Sequence, residues 1–382
     1  MKSTLYLLFF CLSSISTFSQ QTNKVDDALL LDYYQNQRFA EAADYLKQTY
    51  TEPITNPKAL GQLAYTSNMA GRLADAESYY QRIYNIDSTN MPVLYSLGGL
   101  NMRRGNIAKA EMYYKRIIAR DTTNFMVYKQ LAQISHDKND ITSYIFYLQK
   151  ANRLNPAEPD IASDLSDIYV NMKFNSQAEK VLSAAITADP ENIILLNSLM
   201  KLQYAQKKWP ETIGTCLKLV DYGNQSGQVL TKLGVAYYNT KNYDCSISTF
   251  IEMDEIARNE TSYYYTALGY KALKDQSMAI FYLQKAITEG ISPNTAAYYG
   301  EMADSNEKLS RYKKAVMAYQ KSLQFDESPM IYYSLANLYD TNLKDKKSAI
   351  KYYKKYLAGK PPIDKQKSFI DYSKSRVAVL GR

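Results

Sequence analysis

A chain of 382 residues with 46% hydrophobic and 22% charged residues has the composition of a folded protein, not of a disordered one. Its formal charge of +8 is uneven: residues 344–382 carry 12 Lys/Arg against 3 Asp/Glu, leaving 34 basic and 35 acidic groups before them. There is one histidine, His136, and no CxxC, HExxH, GxSxG or phosphate-loop pattern, so hydrolytic triads, histidine metal sites and nucleotide chemistry are not expected. No catalytic residue, metal ligand or cofactor is assigned.

Residues 1–19 read as a secretory signal peptide. Lys2 supplies the charged start, TLYLLFFCL the apolar run, and Thr17-Phe18-Ser19 the small residues of a cleavage site. Cys11 follows Phe9-Phe10 and lacks the small residues that a lipid-modified cysteine needs before it. The mature chain is expected to start near Gln20 and to reach a bacterial periplasm or cell surface. No later run approaches the ~18 apolar residues of a membrane span. An exported protein is not expected to meet nucleic acid.

Residues 20–57 form a degenerate first helical pair and a turn-rich joint, TEPITNP. Residues 58–258 are a regular array, best seen in 91–124. With Met91 as position 1, Leu94, Leu97, Gly98 and Asn101 fall at i, i+3, i+4 and i+7, one helical face. Gly105 closes that helix, and Ile107, Ala110, Tyr114 and Ile117 line a second one. Positions 8 and 20 are small where two helices cross closely, and position 24 is large beside the crossing. Residues 259–362 continue the array with irregular spacing, Ser-Pro at 292–293 and 328–329 separating its members. Pro361-Pro362 stops the last pair. Residues 363–382 are read as a basic capping helix with Phe369, Tyr372 or Ser373, Arg376 and Leu380 on its inner face.

Position 20 is Ala42, Ala76, Ala110, Tyr144, Ala178, Thr212, Ser246, Ala279, Ala315 and Ala349, with six successive intervals of 34 and then 33, 36 and 34. This pattern resembles the tetratricopeptide repeat, whose period is 34 residues. The resemblance covers most of the chain and implies an all-α, right-handed solenoid of about ten helix-turn-helix repeats with a C-terminal capping helix. Two departures stand out. Tyr144 is too large for position 20 and must open its repeat or turn outward. Trp209, the only tryptophan, sits at position 17 and is read as core.

The resemblance also implies a concave face formed by the first helices at positions 2, 5, 9, 12 and 13. Carried over, these are Tyr95, Met102, Lys129, Gln133, His136, Asp167 and Asn171, then Asn197, Lys201, Tyr204, Thr231, Tyr238, Tyr264 and Lys271. Tyrosines, amides and lysines together suit peptide recognition. The family's clamp for a terminal carboxylate fails here, because its best trial, Lys129, Gln133, Asp167, Ile194 and Ser198, puts an acid in the pocket. The expected function is a non-enzymatic scaffold that binds a protein or peptide and organises a cell-envelope assembly. The alternative is a glycan-binding module. The basic end offers a further place for an acidic glycan or an anionic membrane surface. Cys216 and Cys245 lie on neighbouring second helices, but their sulfurs would meet only after some rotation, so two free thiols are expected.

Overall fold

The computed structural model describes residues 24–290 and 292–382. Residues 1–19, read above as a signal peptide, with the expected cleavage site and Cys11, lie outside them. Among the described residues every regular element is helical. The chain divides into two compact bodies at residue 155.

The N-terminal body holds four helix pairs: α1 (Asp27–Gln35) with α2 (Phe39–Thr49), α3 (Pro57–Met69) with α4 (Leu73–Ile86), α5 (Met91–Arg103) with α6 (Ile107–Ile118), and α7 (Phe125–Asp137) with α8 (Ile141–Leu154). One core runs through it from Leu30 to Ile134. The C-terminal body begins with α9 (Pro159–Asn171) and α10 (Asn175–Ala188), α11 (Ile193–Ala205) and α12 (Trp209–Asp221), and α13 (Gly227–Asn239) and α14 (Tyr243–Glu252). It continues with α15 (Glu260–Ala272) and α16 (Gln276–Thr288), α17 (Thr295–Lys308) and α18 (Tyr312–Phe325), and α19 (Pro329–Thr341) and α20 (Lys346–Ala358), and ends in α21 (Ile363–Leu380). This is an all-α solenoid of helix-turn-helix repeats with a capping helix.

Local chemistry sets each pair. Asparagines 56, 90, 124, 192 and 259 cap first helices by accepting backbone N–H groups, which satisfies donors that the helix leaves orphaned. Within a pair, one turn residue adopts positive φ. Gly71 and Gly105 do so freely, whereas Lys173, Lys207, Lys241 and Lys274 do so at a cost. Every position-20 alanine is fully buried. The Tyr114 ring lies against Gly98, where an added Cβ would come within 2.6 Å of it, and Phe250 covers Gly234 in the same way. The small residue at position 8 is thus the seat of the large one at 24. Where position 20 is polar, its hydroxyl finds an acceptor: Ser246 Oγ donates to the Gly234 carbonyl at 2.8 Å and Thr212 Oγ1 to the Lys208 carbonyl at 2.8 Å.

Tyr144 resolves its crowding by turning outward; it is half-buried, its ring 5.1 Å from that of His136. Trp209 packs against the core cluster of Val235, Phe250 and Met253 but, as the first residue of α12, lies at its edge, half-buried, with its indole edge-on to Tyr204 at 5.5 Å. The inner face of α21 carries Ser373, Arg376 and Leu380 as expected, with Ile370 and Val377 beside them: Ile370 and Ser373 are buried and Val377 and Leu380 pack on the core, after a non-helical residue at Gln366. Phe369 and Tyr372 instead stay partly exposed, gathered with the ring of Tyr333 at 4.9 and 6.4 Å. Arg376 ties the helix down by donating from Nε and Nη2 to the two oxygens of Asp340, each at 2.7 Å.

Candidate functional site

The sequence-predicted residues fall in both bodies, and each body uses its share differently. In the N-terminal body Tyr95 is half-buried, its ring 5.8 Å from Tyr114. On α7, Lys129 is half-buried, while Gln133 and His136 are exposed. Both of the latter turn to Asp137: Gln133 Nε2 donates to it at 2.7 Å, and His136 Nδ1 lies 3.6 Å away. This is a solvated helix end. A cavity of about 370 Å³ in this body lies elsewhere, between Tyr50, Pro53, Ile54 and Gln62.

In the C-terminal body the predicted residues link one first helix to the next. Asp167 on α9 accepts a hydrogen bond from Lys201 Nζ on α11. Tyr204, one turn further along α11, presents its ring to Lys232 Nζ of α13 at 5.1 Å from the centroid. Tyr238 on α13 packs edge-on to Tyr265 of α15 at 5.2 Å and lies 5.5 Å from Tyr243. Tyr264 stands 5.8 Å from Tyr265 and 4.7 Å from Tyr298. Lys271 of α15 reaches both Glu301 and, at 2.6 Å, Asp304 of α17. The other predicted residues of this body stand aside. Asn171 is exposed at the end of α9. Asn197 donates to the Ile193 carbonyl at 2.8 Å and accepts from Asn224 at 3.3 Å. Thr231 is half-buried, and its hydroxyl has no partner.

The electrostatics follow from who is paired. Burial pushes the phenols of Tyr204, Tyr238 and Tyr265 above the usual range, and Tyr264, also near Glu301, up to about 12. These rings are neutral donors at any physiological pH. Burial pulls Lys232 below the ordinary lysine value, and the charge of Lys201 adds to the effect. Burial also opposes the charge on Lys271, but hydrogen bonds to Asp304 and Glu301 outweigh it and hold the ammonium above the ordinary value. Burial raises the Cys216 thiol to about 12, and Cys245 is an exposed free thiol.

Four residues that complete these links were missed: Lys232, Tyr265 and Glu301, all at position 6, and Asp304 at position 9. The signal was present, since 2, 6, 9 and 13 recur at helical spacing and share a face with the positions carried over. What the face can do chemically is offer aromatic area, hydroxyl donors and one ammonium to an extended ligand. Among the described residues no group of three or more His, Cys, Asp or Glu side chains is placed to hold a metal ion, and no helix is long and apolar enough to cross a membrane.

Two tetratricopeptide repeat models match, over residues 28–90 and 331–358. No curated protein matches the sequence. Among solved structures the chain is similar to a tetratricopeptide repeat protein from Parabacteroides merdae, at 13% identity and a TM-score of 0.42, covering 65% of this chain and 98% of that one. It is also similar to the C-terminal part of a TPR repeat-containing protein from Cytophaga hutchinsonii, at 17% identity and a TM-score of 0.46, covering 72% of this chain and 98% of the other.

Proposed function

This chain is a tetratricopeptide-repeat protein, and we propose that the first helices α9, α11, α13 and α15 of its C-terminal body form the surface on which it binds an extended protein segment. Repeats of this family build protein-interaction scaffolds and are typically not catalytic. The observation that carries the finer reading is the run of links on successive first helices: Asp167–Lys201, Tyr204–Lys232, Tyr238–Tyr265 and Lys271–Glu301/Asp304. Packed tyrosines lose little entropy on binding and keep a hydroxyl to donate, which suits an anchor in an interface. The signal-like first 19 residues support a role outside the cytoplasm, in a cell-envelope assembly of the periplasm or cell surface.

The test is affinity capture from envelope extracts with the chain from Gln20 onward as bait, beside a Tyr204→Ala/Tyr238→Ala version shown to melt at a similar temperature. A protein held by the parent and lost by the variant supports the reading. Equal capture by both would move the site to another surface.

A second reading has one specific observation in its favour. The solvent side of α20 shows Lys347, Lys351 and Lys354, and the end of the chain carries most of the net charge. That surface suits an acidic glycan or an anionic membrane. Loss of binding to acidic oligosaccharides or anionic vesicles on Lys347→Gln/Lys351→Gln/Lys354→Gln would establish it.

A further inference from the structure

Lys232 is the one member of the C-terminal links whose charge is left over. It sits half-buried on α13 with its ammonium above the Tyr204 ring and no carboxylate or hydrogen-bond acceptor as partner. The carboxylate near enough to attract it is Asp167, which Lys201 already hydrogen-bonds, so one negative charge is shared between two ammonium groups; Cys216 is a neutral buried thiol and Tyr204 a neutral phenol. Asp167, Lys201 and Lys232 therefore sum to a local charge of +1. Close beside, one oxygen of Asp167 and the Thr231 hydroxyl are sealed from solvent without partners, whereas the Lys232 ammonium is not among the sealed groups. Lys201 and Asp167 are part-exposed too, but they are bonded to each other, so Lys232 is the charged group in this cluster left free to take a ligand. A withdrawn cation without a counter-charge is destabilising until an anion meets it, and the anion then gains a contact largely screened from water.

We infer that Lys232 is the docking point for one acidic side chain, an internal Asp or Glu, of the protein segment bound on this face. The inference rests on the reading of that face as a peptide-binding surface. One ammonium matches one carboxylate. A phosphate, with more negative charge, would meet Asp167 nearby and find no second free cation there. The ring of Tyr204 lies under the lysine, and the Tyr238–Tyr265 pair further along the same first helices gives the residues beyond the acidic one apolar area to lie on.

The experiment is peptide selection on the full chain from Gln20. Twelve-residue random peptides are displayed with their C-termini fused, so no free terminal carboxylate is offered. Selection is run on the parent, on Lys232→Met and on Lys232→Arg, all checked by thermal melting. The affinity of selected peptides is read from the fluorescence of Trp209, the only tryptophan, whose ring adjoins Tyr204. The parent and Lys232→Arg should enrich Asp or Glu at one fixed place, and Lys232→Met should select peptides without it. A selected peptide should lose about tenfold in affinity on Lys232→Met, or when its acidic residue becomes the amide. Selection of the same peptides by the parent and Lys232→Met would overturn the role of Lys232 and leave the peptide-binding face standing. No enrichment on any version would overturn both. A uronic-acid oligosaccharide that changes Trp209 fluorescence in the parent but not in Lys232→Met would overturn the peptide form of the inference.

Discussion

Lys232 and Lys271 stand on neighbouring first helices of the C-terminal body, both withdrawn from water, and their surroundings treat them in opposite ways. Lys271 meets two carboxylates, and its side chain is 17% exposed. Lys232 meets an aromatic face and makes no ion pair of its own, the nearby Asp167 being bonded to Lys201. The first holds α15 to α17. The second is carried at a cost by the free protein. The two stand at different positions of the repeat, 6 and 12, on the same face, and it is their partners that separate the roles. A groove lysine already spent on its own fold cannot also be counted as a contact for a ligand.

The comparison can be broken by removing each charge in turn. Lys271→Met strands Glu301, leaves Asp304 with Lys308 as its remaining partner, and should cost about 2 kcal/mol in urea unfolding. Lys232→Met replaces an unpaired ammonium by an apolar stem of similar length, and should leave the free protein as stable or stabilise it by about 1 kcal/mol. Equal losses from the two changes would show that Lys232 has a structural partner. Glu301→Gln should cost less than Lys271→Met, about 0.5 kcal/mol, because Asp304 still faces the ammonium.

The smallest effect is in pH, and its sign differs between the two lysines. Lys271 is held above the ordinary value in the folded protein, so its contribution is complete below the unfolded pKa of ~10.4 and is lost as pH rises through the folded value. Lys232 is held below the ordinary value, so its cost is complete at neutral pH and fades as pH rises toward ~10.4. Unfolding free energies measured between pH 8 and 11 should therefore show the parent losing its advantage over Lys271→Met at the top of that range. Its deficit against Lys232→Met should shrink earlier.

Much of this fold was legible in the residues. The small residues at positions 8 and 20 and the large ones at 24 are where helices cross, and burial of Ala110 beneath the Tyr114–Gly98 contact is what that spacing predicts. Tyr144 was read as open or outward, and it is outward. What failed was side-chain direction at element ends. Trp209 begins a helix, where fewer neighbours can cover it, and on α21 Ile370 is buried where Phe369 stays part-exposed, while Ser373, Arg376 and Leu380 face inward. The candidate site was legible as a set of first-helix positions and not as a set of partners. Lys201 and Lys271 read alike in sequence with Lys129, but only contacts across helices reveal that Asp167, Glu301 and Asp304 have engaged the first two. Position 6 was left out although it shares their face, and with it went Lys232.

The most direct measurement is the titration of the two ammonium groups in one sample, by NMR of ε-carbon-labelled lysine, with Lys232→Arg and Lys271→Arg used to assign the signals. Lys232 should titrate below the ordinary lysine range and Lys271 above it. If the two titrate together, or in the reverse order, the C-terminal body does not hold one cation in reserve and the account of its binding face is wrong.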